Sequence, residues 1–308
     1  MRNKMPGGDA IAKSVTFLFA AGILVVTAGL VAQLWRDSAL ARQKFGFGFL
    51  TSTLWNPVTD EYGAAPFIYG TVITSGLALL IAVPLGVGAA IYLAELASPK
   101  LSSALTFFVE LLAAVPSVIL GLLAVFTLIP FMRDHLGPAL RDAFGFTPLF
   151  HGPVYGVGYL SAGLILAVMT FPFIISVSRE ALLAVPRDQR EAALALGATR
   201  WESTWQIVVP FAKVGILGSI FLGLARALGE TMAVTMVIGN SPTIRASLLS
   251  PGYTIAAVIA NEFTEATEDI YISALVELAL VLFALTIVIN GIARLMIAVT
   301  TTKGSLRT

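Results

Sequence analysis

The sequence has no cysteine, only two histidines (His135 and His151), and few charges, which make up 12% of its 308 positions. The absence of cysteine excludes disulfides, thiolate catalysis and thiolate-held zinc. Two histidines in a polar connection give no basis for a histidine metal site. The charged share is about half that of a soluble domain. The net charge of +1 offers no surface for a polyanion, so nucleic acid is not an expected partner. The chain also lacks a Walker-type glycine-rich phosphate loop, an HExxH helix and a GxSxG nucleophile elbow, so the common enzyme readings find no support.

What the chain does have is apolar length. Hydrophobic residues fill 57% of the positions, and the mean hydropathy is +0.89. They cluster in runs of the roughly 20 residues that a helix needs to cross a bilayer. Six stretches qualify, near 14–34, 68–93, 105–132, 157–183, 214–238 and 272–299. The first follows Arg2, Lys4 and Lys13, as a secretory signal would, but its apolar core exceeds a signal's 7–15 residues. A retained anchor is expected.

Basic residues resist translocation and orient the spans. With the N-terminus inside, the inner segments hold twelve: Arg2, Lys4, Lys13, Lys100, Arg179, Arg187, Arg190, Arg200, Lys213, Arg294, Lys303 and Arg307. The outer segments hold six: Arg36, Arg42, Lys44, Arg133, Arg141 and Arg245. Both termini are therefore expected in the cytoplasm. The outer connections, 35–67, 133–156 and 239–271, are long. Within the last, 253–263 is too apolar for solvent and too short to span, as in a helix that dips into the membrane and is buried by protein.

The inner connection at about 184–213 reads as two short helices meeting at an elbow. Pro186 and Asp188 open the first, with Asp188 and Glu191 in capping-box spacing. Gly197 suits the left-handed position after its end. Thr199 and Glu202 repeat the capping pattern, and Pro210 is expected to stop the second helix. Trp201, Trp205 and Val208 fall on one helical face. An apolar face outside the membrane calls for a protein partner.

The same stretch resembles the signature of ABC importer permeases, Glu-Ala-Ala, three residues, Gly, nine residues, Ile-x-Leu-Pro. Here Glu191, Ala192, Ala193, Gly197, Ile207 and Pro210 fall at those spacings, with Val209 in place of leucine. Phe45-Gly46-Phe47-Gly48-Phe49-Leu50, Trp55-Asn56-Pro57, Tyr69-Gly70-Thr71 and Arg226-Ala227-Leu228-Gly229-Glu230-Thr231-Met232-Ala233-Val234 are similar to the phosphate-specific permeases, the last string to their C-type subunit. The resemblance covers nearly the whole chain from Phe45 on. It implies that the elbow docks into an ATPase subunit, the chain that binds ATP and Mg. It also implies a second, homologous permease subunit and an extracytoplasmic phosphate-binding protein.

Ionisable groups inside a bilayer are functional candidates. Arg226 and Glu230, four residues apart in the fifth run, read as neighbours on one helix face. A guanidinium offers a fork of donors to an oxyanion. Hydrogenphosphate carries a proton that a carboxylate can accept and that sulfate lacks. The rival reading is an internal ion pair that tightens the bundle. Glu110, Glu180 and Glu277 read as packing or gating contacts, Pro116, Pro130 and Pro172 as kinks, and Gly215, Gly218 and Gly223 as close helix contacts. Glu262, Glu265, Glu268 and Asp269 form an acidic outer cluster.

The expected fold is an all-α integral membrane protein of six transmembrane helices with a cytoplasmic coupling loop. Residues 1–13 form an inner segment, 14–299 the transmembrane domain and 300–308 a tail. The expected function is that of an ABC importer permease passing phosphate, multi-pass in a bacterial inner membrane, with no cofactor of its own. Sulfate, molybdate or phosphonate are the alternative substrates. An ion-driven secondary transporter is the rival from another class, against which the missing inverted repeat and the docking elbow both speak.

Overall fold

Among the described residues, six helices are long and apolar enough to cross a membrane. They run Ala10–Asp37, Ala65–Leu96, Ser117–Phe144, Tyr159–Leu183, Arg200–Gly229 and Asp269–Ile292 in the computed structural model of the chain, which describes residues 7–305. Arg2, Lys4 and Arg307 of the basic-residue count lie outside the described residues. The second and fourth spans form the centre. Ala78 and Ala82 of one meet Ala162, Ile165, Leu166, Ala167 and Ile174 of the other, with Val234, Val237 and Ile238 closing the cluster. Small side chains let such backbones approach, because lipid supplies no hydrophobic drive between helices.

Two expected spans are broken, and backbone chemistry explains both. The run at 105–132 is not one helix: Pro99–Ala114 ends, Val115 and Pro116 are extended (ψ 126° and 138°), and a new helix starts at Ser117. The residue before a proline is pushed out of the helical region, so Pro116 separates two helices where a kink was expected. The run at 214–238 also breaks: its helix stops at Gly229, Glu230 is extended (φ −72°, ψ 125°), and Met232–Val237 forms a separate short helix.

Elsewhere proline is absorbed. The helix that was expected to stop at Pro210 runs on through it. A π-helical turn at Thr204–Val208 precedes it, and Pro210 sits in the first turn of Val209–Gly229. The same arrangement places π-turns Ala124–Leu128 before Pro130 and Met132–Leu136 before Pro138. A wide turn relieves the clash between the proline ring and the preceding turn, so the helix continues.

The two ends of the bundle differ. At the elbow end, Ala90, Ile91, Leu182, Val185, Val208, Ala212 and Ile216 form a small core. At the opposite end, the residues between the first two spans fold into helices Ala39–Phe45 and Gly48–Thr51 and a hairpin pairing Trp55 with Tyr62. Their aromatics pack with Phe67, Tyr253 and Tyr271. Beneath them lies the helix Ile255–Glu262, whose Ile255, Ala256, Ala257 and Val258 are buried. The first span touches the bundle mainly through the last helix, Asp269–Ser305, and its apolar window is uncovered. Gly215 and Gly223 are close contacts, since a Cβ on Gly215 would lie 2.4 Å from that of Ala181. Gly218 faces open space and is not one.

Candidate functional site

Arg226 occupies the last turn of its helix, not the middle of a span, and Glu230 lies beyond that helix. The shared helix face expected of them does not exist, and among the described residues no ion pair joins the two. Instead the Arg226 guanidinium lies over the Phe173 ring, 4.5 Å from its centre. Its Nε is buried without a hydrogen-bond partner. Glu230 Oε1 accepts the N–H of Ala233 at 3.3 Å and so caps the short helix that follows the break. Both side chains nevertheless line one cavity of about 430 Å³, together with Phe173, Leu222, Ala225 and Gly229. A guanidinium and a carboxylate that line one cavity without forming an ion pair with each other can serve a protonated oxyanion from two sides.

The elbow is built on two different helix starts. Thr199 and Glu202 form the full capping box: Thr199 N–H donates to Glu202 Oε2 at 2.8 Å, and Glu202 N–H donates to Thr199 Oγ1 at 3.3 Å. Asp188 and Glu191 form none, because Arg187–Ala195 starts directly after an extended Pro186 and has no side-chain cap. Asp188 therefore acts only as an acidic residue in the first turn, favourable to the helix dipole. Gly197 takes φ +90°, with its N–H bonded to Leu194 O at 3.0 Å. Open space surrounds the position a Cβ would take there. Only the backbone conformation requires glycine.

Glu191 and Ala192 are exposed, Ala193 is buried, Ile207 is half-buried and Pro210 is exposed. Leu196 is 90% exposed, and Trp201 and Trp205 about half so, their rings edge-on at 5.6 Å. Val208, expected on the same face, is fully buried. The π-turn between them shifts the helical register, turning Val208 inward and leaving the tryptophans out.

Sequence reasoning missed two ion pairs between residues distant in the chain. Arg190 pairs with Glu95 at 2.7 Å at the elbow end. Arg42 pairs with Glu277 at 3.5 Å, its guanidinium stacked 3.6 Å from the Trp35 ring. Glu277 thus ties the last helix to the helix Ala39–Phe45. Glu180 is exposed and paired with its neighbour Arg179, and Glu110 is exposed. Glu262 does not stand free in the acidic cluster, because its Oε2 accepts from Trp55 Nε1 at 2.8 Å and from the Tyr271 hydroxyl at 2.7 Å.

Residues 82–298 match the family described as binding-protein-dependent transport system inner membrane component. The chain belongs to that family. The elbow, Glu95 and the Arg226 cavity all lie within the matched stretch of this inner membrane component. It is 48% identical over 293 residues to the phosphate transport system permease protein PstC of Mesorhizobium japonicum, covering 94% of this chain and 90% of that protein. It is likewise 48% identical over 279 residues to the protein of the same name from Xylella fastidiosa, covering 89% and 86%. Among solved structures, the inward-facing MetNI methionine ABC transporter superposes with a TM-score of 0.58 at 17% identity, over 80% of this chain and 99% of that one. A bacterial alginate ABC transporter in complex with its alginate pentasaccharide-bound periplasmic protein gives 0.58 at 18% identity, over 92% and 94%. At such identities the two structures establish the fold alone, that of an ABC importer permease.

Proposed function

We propose that this permease component forms, with a second homologous permease subunit, the path by which inorganic phosphate crosses a bacterial inner membrane. The observation that carries the proposal is Arg226. Its guanidinium lines a cavity that Glu230 also lines, and no ion pair joins the two among the described residues, in a chain whose relatives are named phosphate permeases. The ring of Phe173 holds the guanidinium plane, leaving its edge donors for two phosphate oxygens. The proton of hydrogenphosphate is donated to Glu230.

Energy comes from a pair of ATPase subunits that hold ATP and Mg in their own chains. They receive the elbow through Glu191, Ala192, Ala193 and Gly197 on its first half and Ile207 and Pro210 on its second. An extracytoplasmic phosphate-binding protein delivers the anion at the aromatic end. The excess of basic residues at the elbow end supports cytoplasmic termini.

The test is uptake by the complex reconstituted in vesicles with its ATPase subunits and binding protein. Labelled phosphate should enter only with ATP, and sulfate, molybdate and phosphonate should compete poorly. Strong competition by one of these would reassign the substrate. Uptake that needs no nucleotide and follows a proton gradient would overturn the importer reading.

A further inference from the structure

Arg190 stands one residue before Glu191-Ala192-Ala193, yet its side chain turns back toward the bundle. Its Nη2 donates to Glu95 Oε1 at 2.7 Å and its Nε to Glu95 Oε2 at 3.1 Å, a two-point fork. The same guanidinium donates to Leu182 O at 2.7 Å and to Val185 O at 2.5 Å. Glu95 lies in the π-helical turn Tyr92–Leu96 that closes the second span. Leu182 and Val185 lie at the close of the fourth. One guanidinium thus joins the elbow to the two central helices of the bundle, and the pair is largely buried, with side chains 20% and 10% exposed.

That helix buries little of its own side-chain surface. In Arg187–Ala195 only Ala193 is buried. Open spaces of about 390 and 200 Å³ flank the pair, the first reaching Ala94, Leu183 and Arg187, the second Leu194, Arg200 and Thr204. An exposed ion pair on a solvated helix would contribute little. A buried fork that also satisfies two carbonyls at the end of the fourth span, on a helix with a single buried residue, is a mechanical contact.

We infer that the Glu95–Arg190 pair is the strut that passes movement of the elbow to the second and fourth spans, making both residues positioning residues for coupling. The inference rests on the proposed ATP-driven function. With the strut present, a displacement of the elbow moves the central helices directly. Without it, the turns at Pro186 and Gly197 absorb the displacement, and ATP is hydrolysed with little transport.

The experiment compares wild type, Glu95→Gln, Arg190→Gln and the double variant in the reconstituted complex, reading phosphate moved per ATP hydrolysed. Each single variant should retain its ATPase subunits and hydrolyse ATP while that ratio falls about tenfold, within the range seen for packed coupling networks. The double variant should fall no further, because the two residues form one link. An unchanged ratio, additive losses, or uptake and hydrolysis falling together would overturn the strut.

A second readout does not depend on transport. The chain has no cysteine of its own, so spin labels at Gln189→Cys and Lys100→Cys, both exposed positions, report the separation of elbow and bundle. One narrow distance should broaden on adding Glu95→Gln, and an equally narrow distance in that variant would sink the inference. Wild-type complex that fails to import phosphate while the distance still broadens would reject the transport reading and keep the strut.

Discussion

Trp55 donates its indole N–H to Glu262 and sits edge-on to Tyr62 and Phe67, whereas Trp201 and Trp205 pack edge-on against each other and stay half exposed. The two groups lie at opposite ends of the bundle. At the aromatic end Phe45, Phe49, Trp55, Tyr62, Phe67, Tyr253 and Tyr271 pack ring against ring, while Phe47 stays 91% exposed, and a carboxylate is enclosed by two donors. At the elbow end two tryptophans and Leu196 face outward, and a glycine holds an unhindered turn. At the first end a ring cluster is packed by the subunit's own side chains. The other is shaped to be completed by something else, the role proposed here for an ATPase subunit. Substitutions should therefore damage folding at the first end and coupling at the second.

The largest effect is expected at Gly70. A Cβ there would lie 2.0 Å from the carbonyl oxygen of Tyr253, a backbone atom that cannot swing aside. Thr71 next to it accepts the N–H of Ile255 through Oγ1 at 3.0 Å, so the contact also fixes the buried helix. Gly70→Val should cost at least about 3 kcal/mol, the upper range for overpacking. The check is the yield of monodisperse subunit after detergent extraction. Normal yield would remove the distinction between the ends.

Gly197→Val is the matching change at the elbow and should leave that yield near normal. Its Cβ meets nothing, but φ +90° is a strained conformation for a β-branched residue, costing about 1–3 kcal/mol. The turn should relax, and ATP-driven uptake should drop severalfold while insertion persists. Equal uptake with full ATPase co-purification would show that the turn is not part of the dock. A milder loss is expected from Trp201→Ala with Trp205→Ala: weaker retention of the ATPase subunits in a pull-down, with the subunit's melting temperature within a few degrees of wild type. A drop in melting temperature as large as that of Gly70→Val would place the tryptophans in the core instead.

Much of this contrast was legible in the sequence. Hydropathy marks the spans because length and composition alone decide membrane insertion. Gly197 and the Thr199–Glu202 box are local, so spacing was enough to place them. The breaks were not legible, since hydropathy is blind to φ and ψ: Val115, Pro116 and Glu230 all lie in runs as apolar as any helix. π-turns leave no compositional mark either, which is why Pro210 read as a stop and Val208 as a neighbour of the tryptophans. Arg190 with Glu95, and Arg42 with Glu277, meet only through the fold, and one sequence gives no hint of either pairing. At Arg226 and Glu230 the residue types pointed to a site, while the spacing suggested a helix face that the chain does not form.

The smallest effect is expected at Phe173, and it separates a poised guanidinium from a merely packed one. Phe173 lies against a charge on the wall of a cavity. Phe173→Leu keeps an apolar side chain of similar reach and removes the ring face, a contact worth about 0.5–2 kcal/mol. The Arg226 plane would then be free to turn. The concentration of phosphate at half-maximal uptake should rise a few-fold, with assembled complex and ATPase activity unchanged. Arg226→Lys should raise it further, because an ammonium cannot present two donors in a plane. Because Arg226 and Glu230 are not bonded to each other, Arg226→Met does not strip Glu230 of a partner, and its loss of uptake reads the anion contact itself. Phe173→Leu with unaltered half-saturation would mean that the ring only packs. Wild-type uptake by Arg226→Met would remove the arginine from the path altogether.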